Sequence, residues 1–210
     1  MLYKLVGHMK TWRKLSMSLL KSNFEEVIAK IKQGREFTHA SFEPIYYLVF
    51  SPEEIVAVKR QKKAWLARLK TEGWNVKEFS VAEQIEALLN KINPVVKKMW
   101  DAADKKEPLN FDKVTQSITN TLTKEGSGLK EAFEAFLLET EKDPNSLILV
   151  TDLEALHPYM RIGAIEAGLQ GKFNVPTVFL YPGVRTGKTR LKFLGFYPED
   201  GNYRSLHVGG

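Results

Sequence analysis

A chain of 210 residues with 43% hydrophobic content has the size of one α/β domain, able to bury roughly 70% of the surface its unfolded form exposes. It has no cysteine, which excludes disulfides, thiolate nucleophiles and cysteine-bound zinc and is compatible with a reducing compartment. The formal charge of +6 sits in residues 1–35, where eight Lys or Arg face two Glu, so residues 36–210 balance to zero.

Residues 1–42 read as a basic helical N-terminal arm, either an amphipathic helix with a solvated lysine face or a surface for DNA. Lys4, His8 and Lys10 interrupt its apolar start, which argues against a secretory signal. The longest purely apolar run, Ile45 to Phe50, is far short of the ~20 residues of a membrane helix, so a cytoplasmic protein without membrane contact is expected.

From residue 43 to 210 the pattern is that of a single α/β domain. Ile45-Tyr-Tyr-Leu-Val-Phe50 is β-rich and apolar on both faces, as a buried parallel strand requires. Ser51-Pro-Glu-Glu54 opens a helix with a capping box and a proline at its first position, Ile55, Val58, Trp65 and Leu69 form its stripe, and Gly73 ends it. With a short strand over 75–79 this makes a β-α-β unit. Ser80-Val-Ala-Glu83 is a second capping box, leading a helix that carries Ile85, Leu88, Leu89 and Ile92.

A helical insertion follows over about 94–142, broken near Pro108 and at Gly126-Ser-Gly128. Leu147 to Val150 is the next buried strand, a helix is expected over 158–170, and a strand over 175–180. The link Tyr181 to Lys188 turns back into an antiparallel hairpin strand from Thr189, where Leu191 and Phe193 alternate with Arg190 and Lys192. The tail from Tyr197, rich in Gly, Pro, Asp and Asn, reads as loop.

The hairpin link almost spells a phosphate-binding loop. Val184-Arg-Thr-Gly-Lys-Thr-Arg190 ends in Gly-Lys-Thr, but only three residues separate Gly183 from Gly187, and Pro182, which has no N–H, stands where the first glycine belongs. A strand follows instead of a helix, so no nucleotide cofactor is expected. A degenerate nucleotide binder using Thr186 to Thr189 with Asp152 is the alternative. Asp152, Glu154 and His157 follow a strand end and are weak metal candidates, without a supporting ligand spacing. Arg161 sits at the start of an apolar helix, where a cation opposes the helix dipole; it is balanced by Asp152 or Glu154, or it binds an anion or partner carboxylate. Arg185, Lys188, Arg190 and Lys192, with Tyr203 and Arg204 of the tail, form a second partner- or anion-binding set. Nucleophilic catalysis has no motif to support it: there is no Gly-x-Ser-x-Gly elbow, and no catalytic residue is assigned.

Four segments read together resemble one family: Pro44-Ile-Tyr-Tyr-Leu-Val-Phe-Ser-Pro-Glu-Glu54, Leu149-Val-Thr-Asp-Leu-Glu-Ala-Leu-His-Pro-Tyr-Met-Arg161, Val178-Phe-Leu-Tyr-Pro-Gly183 and Asn202-Tyr-Arg204. They are similar to BrxB, a small component of BREX bacteriophage-defence systems, with the resemblance spanning Glu43 to Val208. It implies a Rossmann-like or RecA-like core without an intact nucleotide loop. It also implies a role in a multiprotein assembly that distinguishes and restricts phage DNA, with other BREX proteins as partners and a PglZ-type phosphatase-fold protein first among them; within it the chain is expected to be a non-catalytic adaptor.

Overall fold

A computed structural model describes residues 18–34, 43–187, 190–201 and 205–210. Helix α1 covers 18–34. It is followed by β1 (Ile45–Phe50), a 3-10 turn (Pro52–Glu54), α2 (Ile55–Thr71), β2 (Asn75–Ser80), α3 (Val81–Asn90), α4 (Pro94–Lys106), α5 (Asp112–Leu122), α6 (Leu129–Thr140) and β3 (Ser146–Thr151). A second 3-10 turn (Leu153–Leu156), α7 (Ile162–Gly168), β4 (Thr177–Thr186), β5 (Arg190–Phe193), β6 (Glu199–Gly201) and β7 (Leu206–Gly209) complete the chain.

Five strands form a parallel sheet in the order β2-β3-β4-β1-β7, and β5 and β6 extend β4 as an antiparallel meander. β1 and β3 are buried at all their positions because helices cover both faces, which is why they read as continuous apolar runs. Tyr46, Leu48 and Phe50 point to one helical layer with Leu147, Leu149, Val178 and Leu180. Ile45, Tyr47 and Val49 point to the other with Ile148, Val150, Phe179 and Tyr181. α1 and α2 form the first layer, joined by Phe24 stacked on Trp65 at 4.5 Å and by the Arg68 guanidinium spanning both Glu25 oxygens at 3.2 and 3.3 Å. Residues 18–34, read from sequence as part of a basic arm, thus bury Leu20, Phe24, Val27, Ile28 and Ile31 in the core. Residues 1–17 lie outside the described residues.

Several elements depart from the sequence expectation, β6 (Glu199–Gly201) among them, since it forms inside the tail read as loop. The helix expected over 158–170 is only Ile162–Gly168, because His157 and Arg161 are extended; a residue preceding proline, as His157 does, is pushed away from the helical region. β4 does not stop at Leu180. It runs through Pro182, where it leaves β1 and takes up β5: Phe50 is opposite Pro182 and Phe193 opposite Gly183. A Cβ at Gly183 would meet Lys192 O at 2.5 Å, so the crossing of the two strands there requires glycine. The tail is not all loop. Leu206–Gly209 is the edge strand β7, parallel to β1, with Val208 buried. Its pairing is with a segment about 160 residues earlier, which local composition does not reveal.

Candidate functional site

In an open parallel sheet the carboxyl ends of the strands are where ligands bind. Here the ends of β2 and β3 meet the start of α2. Asp152, the first residue after β3, is in the left-handed region at φ 59° and points its carboxylate back across the sheet. Ser80 Oγ, at the end of β2, donates to Asp152 Oδ2 at 2.9 Å while accepting from Glu83 N as the cap of α3. Thr151 Oγ1 is within reach of Asp152 Oδ2 (2.8 Å) and Glu78 Oε1 (3.1 Å), with one proton to give. Lys59 Nζ closes the group from α2, 2.9 Å from Asp152 Oδ1 and 2.6 Å from Glu154 Oε1, the latter an ion pair outside hydrogen-bond angles. Lys62 Nζ lies 2.5 Å from Glu78 Oε1.

The charges set one another. Burial alone would raise the Asp152 carboxyl, but the bonds from Lys59, Thr151 and Ser80 outweigh it and hold it below the ordinary range. The Lys59 ammonium is raised, chiefly by Glu154 and then by Asp152 against an opposing burial effect. The Lys62 ammonium is raised by Glu78. Between this group and Phe50, Ile55, Val58 and Leu180 the cavity is about 20 Å³, room for a single water and far below the few hundred Å³ of a small-molecule pocket.

A second polar group is buried between the sheet and α7. Glu166 of α7 is buried and accepts from Tyr47 Oη at 2.5 Å; desolvation pushes its carboxyl up to about 7, with Glu43 and Asp200 adding to the rise and Tyr47 opposing it. His207 of β7 packs edge-on against the same Tyr47 ring at 5.3 Å, and burial together with Arg185 pushes its imidazole down to about 4.

The sequence candidates are thereby separated. Asp152 and Glu154 share Lys59, whereas His157 turns away, its Nδ1 on the Tyr197 hydroxyl. No group of three metal-ligating side chains occurs among the described residues. Arg161 does not pair with Asp152 or Glu154: its guanidinium lies 5.2 Å over the Tyr197 ring and reaches Pro198 O at 3.5 Å. It is the N-cap of α7, with extended backbone, so it stands just outside the first turn. Arg185 donates to His207 O and Gly187 O, and Arg190 pairs with Glu199 at 3.5 Å. Lys188, Tyr203 and Arg204 lie outside the described residues. Sequence reasoning missed Lys59: it stands beyond the first turn of α2, where the dipole argument used for Arg161 does not reach, and its carboxylate partners come from a distant strand end.

The helical insertion carries the other exposed feature. α4 has no buried residue and packs along α5. Val95 is 64%, Met99 65%, Leu109 89% and Phe111 65% exposed, and with Val96 these are five of the ten exposed large hydrophobic side chains among the described residues.

Residues 78–208 match the family described as BREX protein BrxB. The chain belongs to the BrxB family. Comparison with curated proteins and with solved structures gives no match. The BrxB match starts at Glu78 and ends at Val208, so it takes in Glu78, Ser80, Thr151, Asp152 and Glu154, the α4–α5 insertion and the β4–β6 meander. It leaves out α1, β1 and α2, and with α2 the two lysines that close the strand-end network.

Proposed function

We infer that this chain is a non-catalytic docking subunit of a BREX phage-defence assembly, and that the α4–α5 insertion is the surface it offers to a partner protein. Family membership supplies the BREX setting. The observation that carries the docking reading is the exposure of Val95 and Met99 on α4, which has no buried residue, and of Leu109 and Phe111 in the link from α4 to α5. Soluble monomers seldom leave contiguous apolar patches beyond a few hundred Å² uncovered, and a partner helix or groove laid over such side chains gains on the order of 25 cal/mol for each Å² removed from water.

The strand ends support the same reading from the opposite side. Their carboxylates and lysines pair with one another around a cavity of about 20 Å³, which supports a structural use of this corner. A PglZ-type phosphatase-fold protein is the first partner to test, followed by the other BREX proteins. Co-expression and size-exclusion chromatography of the full chain with each of them should give stoichiometric co-elution with one. Separate elution from all of them rejects the docking role. Heat on titration with millimolar ATP and magnesium would favour the nucleotide-binding alternative.

A further inference from the structure

The turn between β5 and β6 holds an ordered stack that the docking reading does not use. Phe196 lies on Tyr197 with ring centroids 4.7 Å apart and planes 30° from parallel. Arg161 covers Tyr197 at 5.2 Å, and His157 is edge-on to both rings at 5.4 and 5.5 Å. Tyr197 is anchored below by Phe193, 5.7 Å away. The stack is therefore fixed from behind, and Phe196 at its outer end is 62% exposed.

The adjoining strand is cationic. Arg190 and Lys192 alternate with the buried Leu191 and Phe193, so both project from the outer face of β5, beside the exposed Val184 of β4. Glu199 is the carboxylate opposite Lys192 across the ladder, and it pairs with Arg190. The turn carrying Phe196 begins at Lys192, whose carbonyl accepts from Gly195 N at 3.3 Å. A supported aromatic face next to cations is the combination that grips a single nucleic-acid strand, where a base stacks and phosphates meet positive charge. A duplex base is already covered on both faces by its neighbours, so an exposed ring discriminates in favour of unpaired bases.

We propose that Phe196, backed by Tyr197 and Arg161 and flanked by Arg190 and Lys192, is a stacking platform for single-stranded DNA. It is independent of the α4–α5 surface. The test is fluorescence polarisation of the full chain with a labelled oligothymidine of about 20 nucleotides and with a duplex of equal length, between about 50 and 200 mM salt. The single strand should bind more tightly than the duplex. Phe196→Ala should weaken it about tenfold and Phe196→Trp should not, since any flat ring serves. Lys192→Gln should weaken binding and flatten its salt dependence by about 0.7 in log–log slope for one lost phosphate contact. Phe196 is exposed, so these variants should melt as wild type does. The proposal is overturned by no binding at about 50 mM salt, by equal affinity for duplex and single strand, or by Phe196→Ala leaving affinity unchanged. It is also overturned if Phe196→Ala abolishes co-elution with a protein partner while DNA binding persists.

Discussion

The strand-end corner and the α4–α5 insertion are opposites. At the corner, Lys59, Asp152, Glu154, Ser80, Thr151, Glu78 and Lys62 consist of residue types that carry chemistry in enzymes, yet they are used on one another. In the insertion, Val95, Met99, Leu109 and Phe111 are residue types that usually build cores, yet nothing among the described residues covers them. The polar corner is thus a fastening of β2, β3 and α2, and the apolar insertion is the surface with unspent interaction energy.

The comparison can be broken by moving each property separately. The largest effect is expected from Met99→Glu with Phe111→Glu, which should reduce co-elution with the partner by tenfold or more, since charges placed in a desolvated interface core are strongly disfavoured. The same pair should change the melting free energy by less than about 0.5 kcal/mol, because both side chains are exposed in the free chain. A large loss of stability would show that the insertion is part of the core.

Asp152→Ala should do the reverse, leaving the partner bound while costing about 2 kcal/mol in denaturant unfolding, as Ser80, Thr151 and Lys59 lose their acceptor. Asp152→Gly should cost about 1 kcal/mol less than Asp152→Ala, since alanine pays for the left-handed backbone at φ 59° and glycine does not. Equal losses would show that the backbone strain at this position is not felt. The smallest effect is expected at Lys62→Ala, under about 1 kcal/mol for a solvent-screened pair with Glu78.

The pH dependence of stability separates the two buried groups around Tyr47. Glu166, raised to about 7, keeps its proton in the folded state while the unfolded carboxyl loses it near 4.5, so its contribution falls as pH rises between these values. His207, lowered to about 4, stays neutral in the fold while the unfolded imidazole is protonated below 6.5, so its contribution rises with pH between about 4 and 6.5. The two slopes oppose each other, and stability should be nearly level from pH 4.5 to 6.5. Glu166→Gln removes the falling limb and should expose a rise with pH over the same interval. A wild-type profile that climbs steeply there would mean that Glu166 is ionised in the fold.

Much of the scaffold could be read from local pattern. The six apolar residues of β1, the Ser51 and Ser80 caps and the apolar β3 are dictated within a few residues of themselves, and they stand where expected. The alternation of Leu191 and Phe193 with Arg190 and Lys192 likewise gave the hairpin strand. What escaped depends on distant partners. β7 exists because β1 offers it an edge. Lys59 matters because a strand some 90 residues later ends beside it. The exposure of Val95 and Met99 on α4 was equally illegible, since a sequence pattern records which residues could be buried and says nothing about whether a neighbour arrives.

Hydrogen–deuterium exchange of the full chain, alone and with its co-eluting BREX partner, tests the docking account most directly. The expected result is new protection concentrated in residues 95–111, with the strand-end segment 148–154 protected equally in both states. Protection appearing at 148–154 while 95–111 exchanges unchanged would contradict it.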